Sequence, residues 1–334
     1  MPHDLSPADL DRIRTWTPID EDLVGVADDV ARLCREVRLA TGAADLARSH
    51  HWADVEGVDA HLDLPYLDDD SVFHRLDLFL PHDAVLRGGT TLPVYVDIHG
   101  GGFTYGSKEL NRSFCQHLAA KGFAVFSVNY RLLPTVTFLE QLEDVAAAFR
   151  WIAGHLADYP VSREAVFVTG DSAGGALGFY ATALACNPEA ARAAGIPDWG
   201  LLPRGAALVS GLYDLAPLLD GSADGPATFL TALAPVFWDE RFRSLEPRFR
   251  DYAAMVAELD LPPIYLCTSS DDFLEADSLL LGAALARAGK RFEIQDWAPA
   301  PGVTLGHVFP VCVSWLEESD AVLNRIREFS YRLL

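Results

Sequence analysis

The chain has 334 residues, 50% of them hydrophobic and 22% charged, a length that fits one large α/β domain or two domains of ~150 residues. Such a chain buries about 75% of its extended surface without staples, and its composition excludes the disordered, collagenous and disulfide-stapled classes. Lys+Arg number 26 against 48 Asp+Glu, a formal net charge of -22, so phosphate backbones and anionic lipid surfaces are both poor partners.

The five cysteines, Cys34, Cys115, Cys186, Cys267 and Cys312, are odd in number and far apart. None has metal-ligand spacing, so they read as buried thiols in a reducing compartment. Asp4, Asp9 and Asp11 precede any apolar run, the reverse of a secretory signal. No stretch reaches ~18 uninterrupted apolar residues. The expected address is the cytoplasm, with no membrane insertion, no metal and no cofactor.

In chain order, the first predicted element is a helix. Leu23, Val26, Val30, Cys34 and Val37 recur at helical spacing, with Asp28, Asp29, Arg32, Arg35 and Glu36 on other faces. Asp20 or Asp22 can cap its start and Gly42 can end it. After residue 50 short β-rich runs follow, at 55–61, 73–80, 94–99, 124–129, 165–169, 206–210, 264–268 and 292–296. Between the later runs lie helical patterns at 114–121, 139–156, 174–185 and 275–288. This alternation, with nearly all-apolar strands, predicts a largely parallel sheet covered on both faces. The first two strands, separated by Pro65 and Asp68-Asp69-Asp70, can pair antiparallel at one edge. Residues 215 to about 260 break the rhythm with an aromatic-rich insertion holding Phe229, Leu230, Leu233, Phe237, Trp238, Phe242 and Phe249. It follows a strand's C-terminal end, where α/β sheets keep their ligands. It is either an extra core layer or a cap over a pocket.

The strongest chemical signal is Gly170-Asp171-Ser172-Ala173-Gly174, a G-x-S-x-G pentapeptide between a predicted strand and a small-residue helix. That context is what a nucleophile elbow requires. His99-Gly100-Gly101-Gly102-Phe103 follows another strand, and such glycines can aim backbone N–H groups at a developing oxyanion. His99 is better read as bonding the loop backbone than as a base, because the order Ser, acid, His places the histidine last. His307 is the one histidine after Ser172. The acid belongs after the next-to-last strand, where Asp271 and Asp272 stand. His50-His51-Trp52 and Asp68-Asp69-Asp70 read as loop polarity rather than cation sites.

His99-Gly-Gly-Gly-Phe-Thr-Tyr-Gly-Ser, Asn129-Tyr-Arg-Leu-Leu-Pro, Gly170-Asp-Ser-Ala-Gly-Gly, Asp272-Phe-Leu and Gly306-His307-Val-Phe together resemble the hormone-sensitive lipase family of α/β-hydrolases. The likeness is to its GDSAG-type bacterial carboxylesterases, from about residue 70 to the C-terminus. It implies one α/β-hydrolase domain over 1–334, with an eight-stranded sheet. The implied core is about 51–214 and 261–334, and the cap about 1–50 and about 215–260. It also implies metal-free hydrolysis by Ser172, His307 and Asp272, with the N–H groups of Gly101, Gly102 and Ala173 forming the oxyanion hole. In the family the acid immediately precedes an apolar pair with leucine second, as Phe273-Leu274 does here, which selects Asp272 over Asp271. Leu133-Pro134-Thr135 and the long loop 298–306 depart from the family pattern. Phe103, Tyr105, Phe229, Phe237 and Trp238 are the expected pocket lining.

The expected substrate is a neutral carboxylic ester with a short to medium acyl chain, and a homodimer is the candidate assembly. Two rival readings exist. Ser210-Gly211-Leu212-Tyr213-Asp214-Leu215 has some likeness to kynurenine formamidases, an amidase reading of the same triad. A non-catalytic receptor on the same fold, as in the gibberellin receptors, would lack the histidine that stands here at 307.

Overall fold

Eight strands form one sheet in the order β1-β2-β4-β3-β5-β6-β7-β8: β1 Val58–Pro65, β2 Arg75–Pro81, β3 Leu92–Ile98, β4 Ala124–Val128, β5 Val161–Asp171, β6 Gly205–Val209, β7 Ile264–Ser269 and β8 Phe292–Trp297. The structure, a computed structural model, describes residues 5–83, 91–222 and 228–334. β2 runs antiparallel to both β1 and β4, and every other pairing is parallel. All eight expected strands are present, as is the antiparallel edge.

Burial explains the sequence pattern. Every residue of β3, β4, β6 and β7 is buried, because helices cover both faces and neither face can be polar. Successive residues serve opposite layers: Val94, Val96 and Ile98 pack into one core, while Tyr95 packs with Phe114, Phe123 and Phe167 in the other. β8 lies at the sheet edge, and none of its residues is buried.

The connections position the site. β3 leads through the helix Lys108–Ala120 to β4 on one side, while β5, its other neighbour, leads away through the helix Ala173–Cys186 to β6. The strand order reverses between β3 and β5, and ligands bind outside the carboxyl ends of strands at such a switch point. Ile98 and Gly170 are register partners there, so the two glycine-rich loops emerge side by side.

Several boundaries differ from the expectation, each through tertiary contact. The helix expected over 114–121 begins at Lys108, whose buried ammonium meets Asp63 and Asp77 at 2.7 and 2.8 Å. The N-terminal helix is Asp28–Arg48, with Ala27 at its N-cap. Gly42 does not end it. Gly42 sits inside the helix against the preceding helix Pro7–Arg14, where an added Cβ would lie 2.8 Å from Ile13 Cγ2.

Nor does Asp22 cap that helix; it pairs with Arg38. The guanidinium of Arg38, completely buried, donates to Asp22 Oδ1 and Oδ2 at 2.6 and 2.9 Å. It also donates to the carbonyls of Thr104 and Leu133 at 2.9 and 3.0 Å. One side chain therefore ties the N-terminal segment to the loop after β3. Breaking a buried pair leaves a charge without its partner, at ~3–5 kcal/mol. Arg38→Met should therefore lower unfolding free energy in urea by about 3 kcal/mol, the low end because Asp22 keeps some water. A loss under about 1 kcal/mol would show the tie to be expendable.

Candidate active site

Ser172 stands alone between β5 and the helix Ala173–Cys186, with φ +52° and ψ −117°. A non-glycine residue rarely holds such a backbone unless its surroundings over-determine it. Here its N–H donates to Val209 O at 3.0 Å and the following helix starts at the next residue. The turn pushes the hydroxyl out, and Oγ lies 2.9 Å from His307 Nε2. His307 Nδ1 lies 2.8 Å from Asp272 Oδ1. The Asp272 carboxylate accepts a hydrogen bond from Nδ1–H, which leaves Nε2 without a proton and able to accept from the Ser172 hydroxyl.

Asp272 is held from several sides. The N–H groups of Leu274 and Val308 donate to its Oδ1 and Oδ2 at 2.8 and 3.2 Å. Burial works to raise its pKa, but the hydrogen bond and charge interaction with His307 outweigh that and leave it below the usual carboxylate range. Asp271 faces elsewhere. It accepts from the N–H groups of Leu305 and Gly306 at 2.9 and 3.1 Å and from Ser269 Oγ at 2.8 Å, pinning the loop that carries His307.

Across the switch point, Gly101 and Gly102 have φ of +111° and +59°. Among the described residues no group accepts from the N–H of Gly101, Gly102 or Ala173. His99 lies beneath this loop, stacked on Tyr130 with ring centroids 4.3 Å apart. Its Nδ1–H donates to Gly100 O at 2.8 Å, and burial pushes its pKa down to about 4. His99 is thus a neutral, loop-holding residue.

The sequence reading missed what supports the loop. Asp171 Oδ1 accepts from Gly100 N at 3.0 Å and from Asn111 Nδ2 at 2.8 Å. The same Asn111 amide reaches both oxygens of Asp97 at 3.2 Å, and Ser127 Oγ donates to Asp97 Oδ2 at 2.8 Å. Two carboxyls are thus buried together under the site. The available signal was Asp97 itself, a charged residue inside an otherwise apolar strand.

The cavity over Ser172 has a volume of about 460 Å³, within the ordinary range for small-molecule sites. Phe103, Tyr105 and Phe229 line it, together with Gly101, Gly102, Ala173 and His307. Phe237 and Trp238 do not, contrary to expectation. They are buried behind Phe103, where Phe237, Trp238 and Phe242 pack around Phe138, because the insertion's longest apolar helix, Thr228–Phe237, turns only its first residues to the cavity. The other wall comes from the N-terminal helix, through Val37, Ala40, Ala44, Asp45 and Arg48, and from Trp52 beyond it. His51, flanking Trp52, stacks on Trp315 with ring centroids 4.4 Å apart. Asp69 accepts from His74 Nδ1 at 2.6 Å and from Ser71 N at 2.9 Å.

A family model described as the α/β hydrolase fold matches residues 95–305. The chain belongs to that family. Esterase LipI of Mycobacterium tuberculosis is 32% identical over 212 residues, 61% of this chain and 63% of that protein. Ethyl acetate hydrolase of Pseudomonas putida is 28% identical over 261 residues, 74% of each chain. The crystal structure of esterase B from Lactobacillus rhamnosis superposes with a TM-score of 0.81 at 27% identity, covering 92% of this chain and 96% of that one. The resemblance to bacterial hormone-sensitive-lipase-type esterases and the eight-stranded α/β-hydrolase architecture are thereby borne out.

The buried carboxyl pair gives this site a pH dependence of its own. Burial, reinforced by the charge of Asp171, raises the Asp97 pKa to about 7, against ~3.9 in an unfolded chain. Between those values the unfolded state binds fewer protons than the folded one, so this group's contribution to stability falls as pH rises through that window. Asp97→Asn should flatten the decline, which thermal melts of both proteins from pH 4.5 to 8.5 would reveal. Parallel curves would remove Asp97 as the titrating group.

Proposed function

We propose that this protein hydrolyses carboxylic esters of neutral substrates with short to medium acyl chains, through an acyl-enzyme on Ser172. The observation that carries the reading is the contiguous line from Ser172 Oγ through His307 to Asp272, at 2.9 and 2.8 Å. His307 Nε2 takes the proton of Ser172 as Oγ attacks the ester carbonyl, and returns it to the departing alkoxide. Asp272 holds the imidazole tautomer and stabilises the imidazolium. The N–H groups of Gly101, Gly102 and Ala173 donate to the tetrahedral oxyanion, each worth on the order of 3 kcal/mol. Water, deprotonated by the same imidazole, then hydrolyses the acyl-enzyme.

The cavity's predominantly apolar wall suits alkyl groups, while a net charge of -22 disfavours anionic substrates by its field. Within this reading, the described residues of about 1–50 and about 215–260 act as the cap over the core, since Val37, Ala40, Ala44 and Arg48 of the first and Phe229 and Leu230 of the second contribute cavity wall. The histidine at 307 and its bond to Ser172 favour an enzyme over a receptor. Among the described residues no helix is long and apolar enough to cross a membrane. All five cysteines are free, which supports the cytoplasm as the address.

Ser172→Ala should lower ester turnover by on the order of 10³-fold or more with an unchanged circular dichroism spectrum. Activity within tenfold of the parent would sink the mechanism. Asp272→Asn should lower kcat by on the order of 10⁴-fold through the wrong imidazole tautomer. Asp271→Asn, which only loosens the loop before His307, should cost far less. Reversed losses in steady-state kinetics would transfer the orienting role to Asp271.

A further inference from the structure

An aromatic ring packs on the His307 imidazole and takes no part in the core. Phe273 directly follows Asp272, and 51% of it is exposed, whereas its neighbour Leu274 is buried in the main core. The ring centroids of Phe273 and His307 lie 4.2 Å apart, with the two planes inclined by 38°, nearer to stacked than to edge-on. Among the described residues neither ring has another aromatic neighbour. Both residues border the cavity over Ser172. Because the phenyl group buries so little surface, replacing it costs the fold little, and its effect on the chemistry can be read cleanly.

The imidazole is otherwise held only at its edges. Nε2 meets Ser172 and Nδ1 meets Asp272, and two edge bonds do little to stop a ring tilting about the line that joins them. The backbone that carries His307 lies between β8 and the short helix Phe309–Cys312, with φ of +76° at Gly306 and +50° at Val308. The side chain is partly exposed. A phenyl ring against one face blocks the tilt and keeps water from that face. It also carries charge of the useful sign. When His307 takes the Ser172 proton it becomes a cation, and a cation within about 6 Å of a ring centroid is attracted by the negative face of the ring. The neutral imidazole of the resting site lacks that charge. The attraction therefore grows as the transition state forms, the condition for raising a rate rather than an affinity.

We propose that Phe273 is a positioning residue whose ring face holds the His307 imidazole in line and stabilises it as the imidazolium. The inference rests on the esterase reading above. Phe273 acts through His307, from the open side of the ring, while Asp272 acts through Nδ1. Since His307 serves as base in acylation and again in deacylation, the phenyl ring assists both steps. A residue that merely forms cavity wall behaves differently: it favours the step, and the substrate, whose alkyl or alcohol group it meets.

The test reads the two steps separately, with rates normalised to the active sites that an alkyl phosphonate titrates. The kcat/KM for p-nitrophenyl acetate reports acylation. Recovery of activity after carbamoylation by p-nitrophenyl dimethylcarbamate reports deacylation alone. Phe273→Leu keeps apolar bulk but removes the ring, and should slow both steps by roughly three- to tenfold. Phe273→Tyr keeps the ring face and should return both rates to within about twofold of the parent. Replacing Phe273 by mono-, di- and trifluorophenylalanine drains charge from the face at nearly constant shape, and should slow both steps progressively. Unchanged rates in Phe273→Leu, a loss confined to one step, a loss that varies with acyl length across p-nitrophenyl esters, or fluorinated rings as fast as the parent would each overturn the proposal while leaving the esterase standing. No turnover of any ester and no phosphonate adduct in the parent protein would overturn the esterase reading and the proposal with it.

Discussion

The site depends on how closely β3 and β5 approach at their C-terminal ends. A Cβ on Gly174 would sit 1.9 Å from Ile98 O, and one on Gly100 would sit 2.4 Å from Asp171 Oδ2. Side chains at either position would hold the two loops apart. With hydrogen there instead, the loop after β3 lies directly against the turn after β5. The Gly100 N–H can then reach the Asp171 carboxylate, and the Ser172 backbone is forced into its positive-φ turn. Nucleophile and glycine loop share one crevice because of that contact.

Beneath and beside this contact the protein buries charge. Asp97 and Asp171 share Asn111 under the loop, and Arg38 reaches the loop's Thr104 carbonyl from the N-terminal helix. Burying such groups is expensive, and their exchange for apolar residues often stabilises a protein. Their directional bonds nevertheless do what apolar packing cannot: they fix a loop whose glycines would otherwise sample many backbone states. The arrangement trades stability for a loop held in one conformation, with Asp171 bonding Gly100 and Arg38 bonding Thr104 directly.

The cavity walls divide the remaining work. The core side supplies Ser172, His307 and the glycine loop, while the facing wall comes from residues 37–52 and from Phe229 and Leu230. Much of the cavity wall therefore comes from chain segments distant in sequence from the triad. This separation fits a fold in which the sheet holds chemistry and the added helices hold shape.

The sequence by itself determined the strand count, the parallel class, Ser172 and His307, and the adjacent pair Asp271-Asp272 from which the acid comes. Those features are local: apolar runs sized for strands, an elbow pentapeptide between strand and helix, and one histidine left after the serine. Helix 28–48 shows where local reading stops. Gly42 is a stop signal on propensity grounds, yet it is required mid-helix because Ile13, far away in sequence, packs against it. The choice between Asp271 and Asp272 turned on which neighbour faces His307, and the inward packing of Phe237 and Trp238 on a cluster around Phe138. Asp45, Arg48 and Trp52 carry no motif at all. Tertiary structure alone put them on the cavity wall, because only folding lays the end of that helix against the loop after β3, where the Tyr105 hydroxyl donates to Asp45.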